Sequence, residues 1–389
     1  MPPHDPDPAP GISPPAEVEL LLASTRVRGV RECVGSGIDW DRFYELAAWH
    51  GLLPLVASSL KAAGPDVVPP AMSERMQEAF RRSAARNLFF ASELARIVEW
   101  FREAGVPVIP LKGPALAFSV YDHFAQREFE DLDLLVPRPH VRAAAGILVA
   151  HGFTPALQLS KTALDSFIRT NYELPFDCEG APLAIELHWG LQEQKFFSPA
   201  LDPNAWWNRL ESTTIGGVRL ATPTRADTLL FLCVHGAKHC WERLKWVCDV
   251  ARLVDSSPEL DWPALHRRAQ DMRVEREFLL GLKLASDLLG CVLPEAILAA
   301  AARDPIVPAL CAEVRQQLNR GPAERNLLES AHFQLRLRKR ARDKARYVLV
   351  NVFVPTAGEW KTVPLPGVLS PLYYALRPLR LLANVILGN

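Results

Sequence analysis

The sequence has no stretch approaching the roughly 20 uninterrupted apolar residues that a helix needs to cross a bilayer, so a membrane-spanning helix is not expected. It has no net charge, since 44 lysines and arginines balance 44 aspartates and glutamates. No global field then draws the chain toward nucleic acid or an anionic membrane, and any such affinity must be local. The cysteines number seven and include no Cys-x-x-Cys pair, which argues against both a disulfide framework and a zinc ribbon. Cys233, Cys240 and Cys248 recur at about two helical turns and read as small, reduced core residues. No internal repeat is present. The first residues are rich in proline and lack both the basic cluster and the apolar core of a signal peptide, so 1–16 reads as a disordered leader and a cytoplasmic location is expected.

What is present is an ordinary globular composition, 49% hydrophobic and 23% charged over 389 residues, enough for two or three domains. From residue 17 to 104 apolar residues recur at steps of three and four, as in Phe80, Leu88, Leu94, Ile97 and Val98, and predict a helical N-terminal domain broken at Gly35–Gly37 and Gly64–Pro70. The period changes after Gly105. Val106 to Ile109 reads as a strand, Lys112-Gly113-Pro114 as a turn with Gly113 as N-cap, and the next residues to Tyr121 as a helix. Phe129 to Val136 and Leu183 to Trp189 read as strands, with a helix from about Pro139 to Gly152 between them. The expected fold class is therefore α+β, with a small sheet core over 105–222. A helical domain over 223–320 follows, opened by Thr224 and Asp227 as a cap, and then a basic, proline-punctuated segment over 321–389.

Strand alternation carries the functional reading. In Glu130-Asp131-Leu132-Asp133-Leu134 both aspartates face one way and the leucines the other. Two carboxylates side by side are costly unless a cation neutralises them, and hard oxygen donors suit magnesium or manganese. In Glu186-Leu187-His188-Trp189 the same alternation puts Glu186 and His188 on one face. If the two strands are neighbours, Asp131, Asp133 and Glu186 converge as a metal-holding, catalytic set for phosphoryl-type transfer. Upstream, Gly113 opens a helix whose free amides suit a phosphate, with Lys112 beside it and Arg127 as a second cation. Each piece alone has an ordinary structural reading, such as a solvated sheet edge. Their order and element types together favour a nucleotide-polyphosphate site.

These residues resemble the uncharacterised bacterial nucleotidyltransferase family of the polymerase-β superfamily. The similarity lies in Ile109-Pro-Leu-Lys-Gly113, Tyr121, Arg127, Asp131 to Val136, Gly152-Phe153, Glu186-Leu-His-Trp189, His235-Gly-Ala-Lys-His239, Leu244-Lys-Trp246, Asp249 and Arg377-Pro378. It implies a nucleotidyltransferase sheet flanked by helical domains, with magnesium held by Asp131, Asp133 and Glu186, an NTP as donor and pyrophosphate as leaving group. Two departures stand out: Lys112-Gly113-Pro114 replaces the superfamily's Gly-Gly or Ser-Ser turn, and glutamate stands where an aspartate is usual.

The helical stretch after Thr224 carries a polar stripe of His235, Lys238, Glu242, Lys245, Asp249 and Arg252. A solvated helix face is the simpler reading of it. Functionally the stripe could close over the sheet and supply a general base such as Asp249 or Glu242, and the resemblance favours a nucleotide-binding role for Lys238, His239, Lys245 and Asp249. Two further functions stay open from the residues: a DxD-type glycosyltransferase using a sugar nucleotide, and a catalytically silent nucleotide-binding or interaction module. The acceptor, whether small molecule, peptide or protein, is not legible. Arg336 to Arg346 carries seven basic residues against Asp343 alone and the tail from Leu372 is apolar, so local contact with RNA phosphates or a membrane surface competes with plain solvation.

Overall fold

The computed structural model describes residues 14–26, 29–34, 37–180, 182–191, 205–320, 325–363 and 365–387. The leader expected at 1–16 falls mostly outside them, as do Gly35 and Ser36. The chain is an α+β protein. Helices α1 (Ala16–Arg26), α2 (Val30–Cys33), α3 (Trp40–Trp49) and α4 (Leu53–Ala63) lead to the 34-residue α5 (Pro70–Glu103). Gly64 closes α4 and Pro70 opens α5, so that break falls where its turn residues place it.

The core follows as β1 (Ile109–Pro110), α6 (Gly113–Val120), β2 (Asp131–Leu135), α7 (Val141–Ala150), β3 (Phe153–Pro155), α8 (Lys161–Thr170), β4 (Glu173–Cys178) and β5 (Ala184–His188). The strands form one sheet in the order β1-β2-β5-β4-β3, in which only the β2–β5 pair is parallel. A separate hairpin, β6 (Glu211–Ile215) and β7 (Val218–Thr222), comes next. The strand expected over Val106 to Ile109 is shorter and lies further along, at Ile109–Pro110.

Beyond the hairpin the chain is helical: α9 (Arg225–Lys238), α10 (Leu244–Asp255), α11 (Trp262–Asp271), α12 (Glu275–Leu289), α13 (Glu295–Arg303), α14 (Val307–Arg320), α15 (Leu327–Leu337), α16 (Ala341–Phe353), α17 (Ala357–Thr362) and α18 (Tyr373–Leu387), with a 3₁₀ turn at Gly367–Leu372. The expected Thr224 cap is formed, its Oγ1 accepting the Asp227 amide at 3.1 Å. The stretch read as one polar stripe is two helices. Cys240 and Trp241 take φ of +52° and +56° and turn the chain sharply between α9 and α10.

Two apolar cores lie on either side of the sheet. Leu132, Leu134 and Val136, with Ile185, Leu187 and Trp189, pack against Phe90, Leu94, Ile97 and Phe101 of α5 and against α7 and α8. On the other side Ile109, Leu111 and Leu135 join the core built by the N-terminal helices and α9 to α14. Met72, Met76 and Ala79 of α5 belong to that second core, so one helix serves both. Burying a leucine or valine contributes about 1.5–3 kcal/mol, and a one-residue slip of β2 would push its aspartates into the α5 side. The register of the carboxylates is therefore fixed by the leucines between them.

Candidate active site

In the parallel pair β2–β5, Asp133 lies directly opposite Glu186 and Leu135 opposite His188. The strands read separately in the sequence are thus adjacent, and Asp131, Asp133, Glu186 and His188 share the face turned toward α9 and α10. His188 Nε2 sits 3.2 Å from Asp133 Oδ1 and 3.3 Å from Glu186 Oε2, and its Nδ1 lies 3.4 Å from Glu173 Oε2. Lys112 Nζ lies 3.1 Å from Asp133 Oδ2. That is ion-pair distance but off the hydrogen-bond direction, and Oδ2 is buried with no hydrogen bond. Asp133, Glu186 and His188 each offer a ligand atom within 4.8 Å of the others, so a single cation can reach all three. Asp131 lines the same cleft one step nearer its mouth.

The electrostatics separate the two aspartates. Burial raises Asp131, and the neighbouring Asp133 charge raises it further. Burial also acts upward on Asp133, but the Lys112 ammonium and the His188 hydrogen bond outweigh it and hold Asp133 ionised well below the usual carboxylate range. For His188 burial acts downward, yet hydrogen bonds to Asp133 and Glu186 and the Glu173 charge bring it to about 9. Burial likewise opposes the Lys112 charge, and Asp133, Asp131 and Glu186 more than compensate. With no divalent ion in place, an ammonium and an imidazolium neutralise this carboxylate cluster.

The turn that carries Lys112 needs its glycine. The helix is counted from Gly113, one residue earlier than expected, yet Gly113 itself has φ +60° and acts as the turn residue. Around it lies a cavity of about 390 Å³ lined by residues from the sheet and from α9 and α10. Lys238, His239 and Lys245 line it, together with residues that the sequence did not place in the site: His188, Tyr172, Glu173, His235 and Trp246. Lys238 Nζ donates to Tyr172 Oη at 3.0 Å, and the His239 ring stacks on Trp246 at 4.9 Å. His188 had a legible signal, since alternation already placed it beside Glu186. Glu173 did not, because its strand carries Pro175, and neither did Tyr172 just before that strand.

Three expected roles meet other partners. Arg127 reaches the cleft, but its guanidinium is buried and bidentate to Asp249, at 2.8 and 2.9 Å. Asp249, expected at the nucleotide, does not line the cavity. It is buried under Arg127 and also accepts from Tyr121 Oη at 2.7 Å. Glu242, the other candidate base, accepts the Arg325 amide at 3.1 Å. Both carboxylates are tied into structure by these donors.

A small mixed sheet thus brings carboxylates side by side on parallel strands, with a lysine-glycine turn beside them and a helical wall across the cleft. Residues 36–290, about two thirds of the chain, match the family described as uncharacterised nucleotidyltransferase. The chain belongs to this family and is an enzyme of the transferase class. No curated protein sequence matches it. Among solved structures it is similar to the solution structure of the antibiotic-resistance factor ANT(2'')-Ia, at 12% identity and a TM-score of 0.26, over 63% of this chain and 98% of that one. A similarity of that size adds nothing to the assignment, which rests on the family match.

Proposed function

We propose that the protein moves a nucleoside monophosphate from an NTP to a hydroxyl or phosphate of an acceptor, with a divalent metal and with release of pyrophosphate. The observation that carries this reading is the pairing of Asp133 with Glu186 across β2 and β5, beside Asp131 and below the Lys112-Gly113 turn. The cleft is lined by six carboxylates against three lysines, the His188 imidazolium and Arg127, the last of which is spent on Asp249. A bare triphosphate would be repelled there, so its entry requires added positive charge.

The donor set fits a divalent ion. Asp133 offers a buried oxygen with no hydrogen bond, Asp131 and Glu186 offer further hard oxygens, and His188 adds a nitrogen that manganese accepts more readily than magnesium does. Such an ion supplies charge neutralisation on the phosphates and makes the acceptor oxygen a better nucleophile. Lys112, which now neutralises Asp133 from the turn at Gly113, would be left free to offer its ammonium to the triphosphate where a divalent ion took over that carboxylate. Lys238 and Lys245 face the same phosphates from the opposite wall. Trp246 and His239 present stacked rings suited to a nucleobase. The acceptor oxygen attacks the α-phosphorus, a new P–O bond forms as the bond to the β-phosphate breaks, and pyrophosphate leaves with the electron pair. Glu186, whose side chain stays 35% exposed where that of Asp133 is 2% exposed, takes the acceptor's proton.

The test is incubation with each α-labelled NTP plus magnesium or manganese, reading pyrophosphate release and label transfer. Release that disappears in Asp131→Asn and Asp133→Asn is expected. Failure of every NTP to bind at millimolar concentration with metal present would sink the proposal, and preferential binding of a sugar nucleotide would replace it with glycosyl transfer.

A further inference from the structure

The C-terminal helices are built inside out for a soluble layer. On α18, Leu379 and Leu382 are 61% and 59% exposed. With Leu372 and Ala375 they form one apolar stripe at steps of three and four. The opposite face turns Arg377 and Arg380 inward onto Glu359. On α16, Leu349 and Phe353 are exposed in line with Arg342 and Arg346. Val368, 80% exposed, and Leu369 lie in the 3₁₀ turn between them in the chain. Among the described residues, ten of the seventeen exposed large apolar side chains fall within 341–387. Scattered apolar residues need no explanation, but a concentration of this kind marks a surface that something covers.

Charge says what covers it. From Arg340 onward the sequence has seven lysines and arginines against two acids, Asp343 and Glu359, in a chain that is neutral overall. Both acids are already engaged, Asp343 by Arg273 and Glu359 by Arg377 and Arg380. Beside this layer lies a cavity of about 200 Å³ lined by Arg138, Arg169, Arg346 and Arg377, with no carboxylate among its lining. Arg377 already has Glu359 as its counter-charge, but the guanidinium groups of Arg138, Arg169 and Arg346 share the cavity with no carboxylate in its lining, a field that favours an entering anion. A second copy of this chain would bring a like-charged layer against this one, so self-association works against the field. Among the described residues no helix is long and apolar enough to cross a membrane. An apolar stripe flanked by arginines, too short to span, is the composition of an element that lies in the plane of a bilayer.

We propose that α16, the 3₁₀ turn and α18 dock on an anionic phospholipid surface, the leucines and Phe353 entering the headgroup boundary and the arginine-lined cavity receiving a lipid phosphate. Tyr172 lines both this cavity and the nucleotide cleft, so docking would hold the catalytic cleft close to the membrane plane. The test is co-sedimentation of the full chain with phosphatidylcholine vesicles, with and without phosphatidylglycerol. Binding to the anionic vesicles alone, weakened by salt, is expected. Arg342→Ser/Arg346→Ser should weaken it by about thirtyfold. Leu379→Ser/Leu382→Ser should abolish it with an unchanged thermal melt, because both side chains are exposed. Three results would overturn the proposal: no sedimentation of the wild-type chain with anionic vesicles, full binding by the leucine variant, or a concentration-dependent dimer in sedimentation velocity that the leucine variant loses. The first needs no variant to fold.

Discussion

At Asp133 three demands meet in one side chain: it is nearly inaccessible, it stays ionised, and it holds both Lys112 and His188. Asp133→Asn keeps the shape but removes the charge, and turnover should fall on the order of 10²–10³-fold in a chain that still folds. A collapse in stability with no specific loss of turnover would assign Asp133 to the fold instead. The Arg127–Asp249 pair belongs to the opposite category. Both partners are buried, the geometry is bidentate, and Tyr121 completes it. Asp249→Ala leaves a buried guanidinium without its partner and should cost about 3–5 kcal/mol in denaturant titrations. Replacing both, as Arg127→Leu/Asp249→Leu, should recover most of that loss, because two apolar groups need no pairing. If the double variant is no better than the single one, Arg127 contributes something beyond its bond to Asp249. Sequence spacing could place Arg127 near the site, but not which of its neighbours would claim it.

The elements show where local pattern suffices and where it fails. β2 and β5 were legible because strict alternation separates carboxylates from leucines, and α9 was legible from its Thr224 cap. β4 was not, since Glu173-Leu-Pro-Phe carries a proline, a residue that argues against a central strand. Pro175 is nevertheless paired opposite Glu186, and its carbonyl accepts the Ala156 amide. The break between α9 and α10 was hidden for the converse reason: neither glycine nor proline marks it, and Cys240 and Trp241 adopt the left-handed conformation themselves. That conformation costs roughly 1–2 kcal/mol per residue. Tertiary packing offsets it, since the Trp241 ring lies buried against Gly236 of α9 and Gly281 of α12, where an added Cβ would come within 2.4 and 2.9 Å of ring carbons. Gly236→Ala should therefore destabilise by about 1–3 kcal/mol. It should also raise KM for the nucleotide, because the turn sets where Lys238 and Lys245 stand on the cleft wall. A variant as stable as wild type in thermal melts would show that the turn tolerates a shifted Trp241.

For the whole molecule, the site sits between two cores that α5 joins, and its uncompensated charge makes global stability depend on pH in a readable way. On the acid side two groups of residues oppose each other. Burial holds His50 near 4, His239 near 3 and His235 well below its ordinary value, so the unfolded chain takes up those protons first and stability falls on acidification. Burial raises Asp131, Glu128 and Glu277, the last to about 7, so the native state takes up protons in the same range and offsets that fall. The alkaline side has no such balance near His188. Its folded value of about 9 lies above the unfolded 6.5, so the stability it contributes is complete below 6.5 and lost as pH rises through 9. The metal-free protein should lose up to about 1.4 kcal/mol per pH unit across that window, followed by urea titration at several pH values. His188→Gln should flatten the slope. Manganese should flatten it too, because a cation on Asp133 and Glu186 takes over the neutralisation that the imidazolium provides, and the proton is then released on binding rather than on alkalinisation. A slope that persists unchanged in both cases would mean that His188 is neutral in the folded chain, and that the carboxylates of the cleft are balanced by its lysines without the imidazolium.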